Sequence, residues 1–219
     1  MALAAFDPTG RQLVCNKATG GQRLQIINAF SGAVQRELSA PRSRLTALAV
    51  SPNGRQLLTG DQRGFVRSTE LGTGNIRYEF RANDRAVSSL AFAQDGRQFI
   101  TLSNLSGGRQ SIQVWDASTG IFLQPLLNAG SIGRELCVHP VSGEIIATGA
   151  TAKAWRLKGL NEEFRLSARD FANTCFWSSD DLVFAHGTNT GIDLIDLNDD
   201  ASRSHPLWRS ADKNARLVT

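Results

Sequence analysis

Cysteine, histidine, methionine and tyrosine are scarce in this 219-residue sequence, which holds three, three, one and one of them. Cys15, Cys137 and Cys175 lie far apart and form no CxxC pair, so neither a disulfide framework nor a zinc site is predicted. No run of 18 apolar residues occurs, which excludes a membrane-spanning helix. The N-terminal segment also lacks the basic region and long apolar run of a secretory signal. We therefore expect a soluble, cytoplasmic chain.

Charged residues are moderately few, at 20% of the chain, while apolar residues make up 41%. This balance excludes a disordered polyelectrolyte, because the apolar surface is large enough to offset the entropy lost on ordering the chain. Glycine is frequent, with 20 residues, and favours an all-β fold with many tight turns. The net charge of +4 permits an acidic partner without requiring one.

The decisive feature is a short segment that recurs along the chain. Three close copies, each containing Gly-Arg-Gln, occupy residues 5–13, 49–57 and 91–99, and looser copies occupy 137–145 and 175–182. The spacing of roughly 42–47 residues is typical of proteins in which each repeat is one supersecondary unit. A second segment follows at a matching distance, most clearly at 112–120, with counterparts at 24–32 and 66–74 and weaker echoes at 153–156 and 192–197.

Each unit reads as four short strands, a to d. In the second unit we predict strands at residues 45–50, 56–59, 65–69 and 75–80, separated by turns rich in glycine. Apolar residues alternate along strand c, as Ile112 and Val114 show. Four strands in about 40–45 residues form one blade of a β-propeller.

At these residues the sequence resembles the WD40-repeat family, and the resemblance covers essentially the whole chain. Residues 112–116, Ile-Gln-Val-Trp-Asp, match the strand that gives the family its name, and residues 51–54 and 60–64 match its first two turns. The resemblance implies an all-β propeller that acts as a rigid docking platform for proteins, peptides or nucleic acids, usually without catalysis. It specifies architecture strongly and function weakly.

Departures from the family pattern indicate divergent, bacterial-type repeats. Ala40-Pro41 and Ala82-Asn83 stand where the family has Gly-His before strand a, and Trp-Asp occurs once, at residues 115–116. The hydrogen-bond network that the family builds from His, Asp, Ser or Thr and Trp is therefore expected to be incomplete. The blades must then rely mainly on apolar packing between sheets.

We assign the whole chain, residues 1–219, to one propeller with five visible units. Their bounds are 1–44, 45–86, 87–132, 133–170 and 171–215, and residues 216–219 begin a further strand. The family commonly closes with seven blades, and an open array exposes apolar faces and unpaired strand edges. Three accounts stay open: a fragment of a longer chain with additional blades or domains, a closed five-bladed ring, and a ring completed by another chain. We favour the fragment.

The b–c and d–a loops, which share one face of such a blade, collect arginines. They are Arg23, Arg42, Arg44, Arg63, Arg81, Arg85, Arg109, Arg134, Arg169 and Arg216. A positively charged face of this kind suits bidentate contacts to carboxylate or phosphate. The competing interpretation is ordinary solvated loop charge, offset by Asp61, Asp84, Glu135 and Asp170. Arg11, Arg55 and Arg97 belong to the opposite face, where we interpret them as residues that solvate turns.

The sequence carries no motif for catalysis, a metal or a cofactor. It has no nucleophile elbow, HExxH, P-loop or dinucleotide fingerprint, and the aspartates at 193–200 do not fit an EF-hand loop. Nucleic-acid binding is disfavoured, because Trp115 and Trp155 fall at positions that pack between blades and leave Trp208-Arg209 as the pair worth testing. No cofactor, metal or membrane partner is predicted.

The functional prediction is a noncatalytic scaffold that docks a protein or peptide on its arginine-bearing loops, which permit an acidic partner without requiring one. The alternative is a propeller enzyme or small-ligand binder that uses the central channel. For that alternative the sequence offers Asp61, Asp84 and His186, and convergence of the three on one pocket would favour it.

Overall fold

Every regular element in the described part of this computed structural model is a β-strand. The structure describes residues 3–16, 23–39, 41–104, 110–126, 135–138, 143–148, 152–155, 163–166, 175–177, 183–188, 191–196 and 204–209, and gives the backbone alone for Gln110 and from Thr148 onward. Among these residues no helix is long and apolar enough to cross a membrane.

The strands form five four-stranded sheets, each built from consecutive strands in chain order. The first sheet contains β1 (Ala4–Phe6), β2 (Gln12–Asn16), β3 (Leu24–Asn28) and β4 (Val34–Leu38). The second contains β5 (Leu45–Val50), β6 (Gln56–Asp61), β7 (Phe65–Glu70) and β8 (Ile76–Arg81). The third contains β9 (Val87–Phe92), β10 (Gln98–Asn104), β11 (Gln110–Asp116) and β12 (Phe122–Leu126).

The two weakest repeats form the same arrangement. The fourth sheet contains β13 (Glu135–Val138), β14 (Ile145–Thr148), β15 (Ala152–Trp155) and β16 (Glu163–Leu166). The fifth contains β17 (Cys175–Trp177), β18 (Val183–Thr188), β19 (Gly191–Asp196) and β20 (Ser204–Arg209). All neighbouring strands whose register is described pair antiparallel. The predicted all-β class with four strands per unit is confirmed.

The turns repeat as faithfully as the strands. In the first three sheets the turn between the first two strands ends in Gly10, Gly54 or Gly96, with φ between +67° and +70°, a conformation that glycine adopts without strain. The carbonyl of the following arginine accepts a hydrogen bond from the turn between the third and fourth strands. The three bonds are Ala29 N to Arg11 O, Leu71 N to Arg55 O and Ala117 N to Arg97 O, at 2.8–2.9 Å. These two turns therefore lie at the same end of each sheet, as predicted.

The described core lies between the first and second sheets and between the second and third. One buried cluster joins the first two sheets through residues such as Val14, Ile26 and Leu57. A second joins the next pair through Leu58, Phe99 and others. Burying such side chains contributes about 1.5–3 kcal/mol each relative to exposure, so apolar packing between sheets accounts for much of the stability of the repeats.

Trp115 occupies the second cluster, as the sequence predicts. It is 6% exposed, and its ring lies 4.6 Å from that of Phe80 on the preceding sheet and 6.3 Å from that of Phe99. Its indole Nε1 donates a 3.0 Å hydrogen bond to Thr101 Oγ1. This side-chain bond links the third strand of the sheet to the second. Trp155, predicted to pack in the same way, lies in a strand for which the structure gives the backbone alone.

A hydrogen-bonded group closes the junction between the second and third sheets at the end that carries Arg55. Gln56 Nε2 donates to Ser68 Oγ and to Ala117 O, both at 2.7 Å. Tyr78 donates from its hydroxyl to the same Ala117 carbonyl, at 3.0 Å. Burial raises the pKa of Tyr78, so the phenol stays protonated and remains a donor.

Two compact units make up the chain, one of Met1–Gly107 with Ser111–Pro125 and one of Gly108–Gln110 with Leu126–Thr219. Each sheet falls inside one of the five repeat units assigned from the sequence. The assignment of residues 1–219 to a single propeller, and the choice between fragment, five-bladed ring and shared ring, stay predictions.

Candidate partner-binding site

The predicted arginine face is best described around one turn, residues 61–64, which connects β6 to β7. Asp61 is 3% exposed, and its Oδ1 accepts hydrogen bonds from the backbone nitrogens of Arg63 and Phe65 at 2.9 and 3.0 Å. Gly64, with φ +84°, completes the turn. The carboxylate of Asp61 thus holds the backbone from which the Arg63 side chain projects.

Neighbouring loops hold this turn from two sides. Gln62 N donates to Arg44 O at 2.9 Å, which brings the loop before β5 against the turn. On the other side, Ala82 N donates to Gly64 O at 2.8 Å. A Cβ added to Gly64 would lie 1.9 Å from the carbonyl oxygen of Asn83 and 2.6 Å from that of Arg85. The backbones of Arg44, Arg63 and Arg85 therefore converge at one end of the second sheet, and the expected proximity of b–c and d–a loops is confirmed there.

Three of the predicted arginines are paired with carboxylates. Arg23 Nη1 lies 3.0 Å from Glu37 Oε2, Arg42 Nε lies 2.7 Å from Glu79 Oε1, and Arg81 Nη1 lies 3.4 Å from Asp84 Oδ1. In each pair the arginine side chain is more than half exposed. Exposed pairs contribute only about 0–1 kcal/mol, so these contacts chiefly neutralise local charge.

Arg44, Arg63 and Arg85 are different, and we call these three residues the arginine surface. All are exposed, and within the described part of the chain none forms an ion pair with a carboxylate. Beside Arg85 lies an open cavity of about 620 Å³ whose walls include Gln62, Asp84 and Asn104. The arginine surface thus offers three exposed guanidinium groups whose backbones converge, and one of them, that of Arg85, borders a cavity.

The sequence comparisons agree with this architecture. The family described as "WD domain, G-beta repeat" matches residues 32–67 and 74–116. Two repeats of the chain are thus recognised as WD40 repeats. U3 small nucleolar RNA-associated protein 15 of Schizosaccharomyces pombe is a weak relative, 31% identical over 106 residues, which are 47% of this chain and 20% of that protein.

A solved structure resembles the fold over nearly the whole chain. Hydrazine synthase of Kuenenia stuttgartiensis matches with a TM-score of 0.74 at 16% identity, over 93% of this chain and 65% of that one. At such low identity the likeness shows the fold alone. The chain spans less than two thirds of the length of either protein.

The structure describes six of the arginines predicted on the b–c and d–a loops. It brings Arg44, Arg63, Arg81 and Arg85 together around residues 61–64, with Arg81 Nε donating to Arg63 O at 3.4 Å. Arg23 belongs to the first sheet and pairs with Glu37 there. Four predicted residues lie outside the described part of the chain: Arg109, Arg134, Arg169 and Arg216.

Glu79 is a residue that the sequence argument missed. Its carboxylate is shared by Arg42, at 2.7 Å, and by the buried Arg67, at 2.5 Å. The partner of Arg42 lies on β8, some 37 positions along the chain, so no local signal marks the pair. The one available signal was a negatively charged residue on the fourth strand of the unit, from which a carboxylate can reach an arginine of a neighbouring loop.

The residues considered for catalysis in the channel have other roles where the structure describes them. Asp61 is committed to its turn, and Asp84 has a 91% exposed side chain beside Arg81. For His186 the structure gives the backbone alone, as part of β18. Cys15 and Cys137 are half-buried and lie in no disulfide within the described residues, and burial raises the pKa of the Cys15 thiol. Among the described residues no cluster of three metal-ligating side chains occurs.

Proposed function

We propose that this protein is a noncatalytic scaffold that docks an acidic protein or peptide on the arginine surface. The observation that carries the proposal is the convergence of Arg44, Arg63 and Arg85, exposed and without a described carboxylate partner, around a turn fixed by buried Asp61. WD40 repeats generally bind protein partners, and the name of the Schizosaccharomyces pombe relative describes association with U3 small nucleolar RNA. We further propose a cytoplasmic location.

Guanidinium groups suit this role because each presents a planar fork of donors that matches a carboxylate. Ordering a flexible arginine costs side-chain entropy, but here hydrogen bonds already hold the backbones of Arg44 and Arg63, and the Arg85 carbonyl lies close against Gly64. Paired Arg42 and Arg81 flank the surface and remain largely exposed, at 74% and 52%. A partner with several carboxylates could therefore recruit them by displacing Glu79 or Asp84.

The test is direct binding of a synthetic peptide of twelve residues rich in glutamate. We expect the triple variant Arg44→Ala, Arg63→Ala, Arg85→Ala to bind it at least about tenfold more weakly than the unaltered chain, because charge-assisted contacts are worth about 1.5–3 kcal/mol each. Calorimetric titration at two salt concentrations measures this, and binding should weaken as salt rises.

The matched control is Arg11→Ala, Arg77→Ala, Arg97→Ala, which removes the same charge from exposed positions elsewhere. Its affinity should stay within about twofold of the unaltered chain, since distant exposed charges are screened. If both triple variants bind the peptide equally weakly, the loss comes from the change in net charge alone, and the proposal is wrong. Stronger binding of a single-stranded RNA oligonucleotide than of the peptide, lost in the first triple variant, would favour a nucleic-acid partner instead.

A further inference from the structure

A groove of about 520 Å³ lies between the first and second sheets, at the opposite end from the arginine surface. Ile26 and Leu71, 3% and 5% exposed, lie at its base. Gln12, Gln35 and Arg36 form the wall on the first sheet, and Arg55, Glu70 and Gly72 form the wall on the second. This volume is in the range of about 300–1,000 Å³ that suits small ligands and peptide side chains.

The repeat explains why this groove is open. Counted from the glycine that follows the third strand, Ile26 corresponds to Ser68, Arg36 to Tyr78 and Leu71 to Ala117. Gln12 likewise corresponds to Gln56. Four residues that line the groove are thus the counterparts of the hydrogen-bonded group that closes the next junction.

At that next junction the gap is filled by an aromatic ring from within the chain. A Cβ added to Gly120 would lie 2.9 Å from Tyr78 Cδ2, which shows how closely the ring covers the turn. In the first junction the corresponding residue is Arg36, which has no ring, and a Cβ added to the corresponding Gly74 would be 3.6 Å from Arg36 Nη1. Gln12 turns to Gln35, with a 2.9 Å hydrogen bond, instead of bridging to the next sheet.

The charge at the groove also points to a particular ligand. Arg36 and Arg55 approach from opposite walls, and neither forms an ion pair in the described part of the chain. The Glu70 carboxylate on the rim accepts a hydrogen bond from Thr73 Oγ1 at 2.7 Å. The groove thus has two arginines and one carboxylate that is already hydrogen-bonded, which favours an anionic ligand. Because guanidinium groups also stack on aromatic faces, a ligand with a flat apolar part fits best.

We propose that this groove binds an acidic peptide segment of a partner protein through an inserted aromatic side chain. The ring takes the place above Ile26 and Leu71 that Tyr78 takes at the next junction, and its hydroxyl meets Gln12 and the Leu71 carbonyl as Tyr78 meets Gln56 and Ala117. Carboxylates on either side of the ring pair with Arg36 and Arg55. The site is independent of the arginine surface and lies on different loops.

The probe is the peptide acetyl-Gly-Asp-Tyr-Glu-Gly-amide, titrated into the full chain by calorimetry. We expect saturable binding, weakened at least about tenfold when the peptide's tyrosine becomes alanine or its two acids become lysine. Arg36→Tyr should weaken binding at least as much, because the chain then supplies the ring itself, while thermal unfolding shows an unchanged or raised midpoint. Arg55→Ala should weaken it about tenfold.

Arg97→Ala is the matched control, because Arg97 occupies the same turn one repeat later, at the junction that Tyr78 closes. It should leave the affinity within about twofold of the unaltered chain. The triple variant of the arginine surface should also bind this peptide normally, so the two sites succeed or fail separately. No saturable binding, equal effects of Arg55→Ala and Arg97→Ala, or full binding by Arg36→Tyr would each overturn the proposal.

Discussion

Trp115 and Asp116 are neighbours with separate tasks, because successive residues of a strand face opposite sides. The indole of Trp115 packs against the preceding sheet. The carboxylate of Asp116 turns to the following loop, where Oδ1 accepts hydrogen bonds from the backbone nitrogen and hydroxyl of both Ser118 and Thr119, at 2.6–2.9 Å. These hydroxyl and backbone bonds lower the pKa of Asp116 to about 2. Asp116 therefore stabilises its turn in the ionised form.

Asp116→Ala should lower the free energy of unfolding at pH 7 by about 1 kcal/mol, the usual net value of lost local hydrogen bonds. Since the folded pKa lies below the unfolded one, the contribution is present above pH 4 and is lost as pH falls toward 2. The difference between the variant and the unaltered chain should shrink over that interval, as measured by urea unfolding.

Asn28 provides the control for this pH dependence. It occupies the same position in the first repeat, and its Oδ1 accepts from the backbone nitrogens of Phe30 and Ser31 at 3.0 and 2.9 Å. Its amide does not titrate, so Asn28→Ala should destabilise the chain equally at pH 7 and pH 3. A parallel decline in both variants would show that the effect does not come from the Asp116 carboxylate.

At the scale of single elements, the β6–β7 turn is the best-defined part of the arginine surface. Its shape depends on Gly64, because two main-chain oxygens approach where any other residue would have a Cβ. Gly10 also has a positive φ, of +69°, but a Cβ added there meets nothing within 4 Å. The two glycines share a conformation and differ in their surroundings.

Gly64→Ala should therefore cost at least about 3 kcal/mol of unfolding free energy, since strain and steric overlap add. Gly10→Ala should cost about 1–2 kcal/mol, the conformational part alone. Chemical denaturation of both variants measures the difference. Similar costs would indicate that residues 82–85 move aside without penalty, and that the turn is not held as described.

At the scale of the whole molecule, the second sheet packs against the first and the third packs against the second. Phe92 shows this with 7% exposure in the cluster between the second and third sheets. Phe6 is its counterpart in the first repeat, and Val50 the counterpart in the second. Phe6 is 61% exposed, whereas Val50 packs against the cluster between the first two sheets.

Phe92→Ala should accordingly cost about 3–5 kcal/mol, as large-to-small changes in a core do. Phe6→Ala should cost about 1 kcal/mol or less, because its ring is mostly in water. Comparing thermal unfolding of the two variants at matched concentration tests this. A large cost for Phe6→Ala would mean that its face is covered in solution.

Much of the fold follows from short-range sequence. Gly54, Gly96 and their counterparts mark turns because of a backbone conformation that glycine adopts freely, and the strands between them follow from β-favouring residues. The fourth and fifth sheets show that four strands form even where the glycine or the Trp-Asp pair is lost, as at residues 175–182 and 153–156. Strand ends differ by one or two residues, as in β6, which continues through Asp61 because its pairing with β5 extends to Leu45.

The candidate sites follow from the sequence only in part. The repeat was enough to place Arg44, Arg63 and Arg85 on neighbouring loops, because loop position follows from strand order. Which arginines are neutralised was decided by Glu79 and Asp84, which meet them across the sheet or loop. The groove at Arg36 was missed, although alignment of Arg36 with Tyr78 already marked a position where adjacent repeats differ.

The sequence by itself determined the repeating four-stranded unit, since turn conformation and strand alternation are local properties of the chain. The tertiary structure decided which loop arginines remain without a carboxylate partner and which junction between sheets stays open. Those outcomes depend on side chains from different sheets and strands meeting in space. A tyrosine fills one gap and an arginine leaves the next one accessible, and only the packing of neighbouring sheets brings that difference into view.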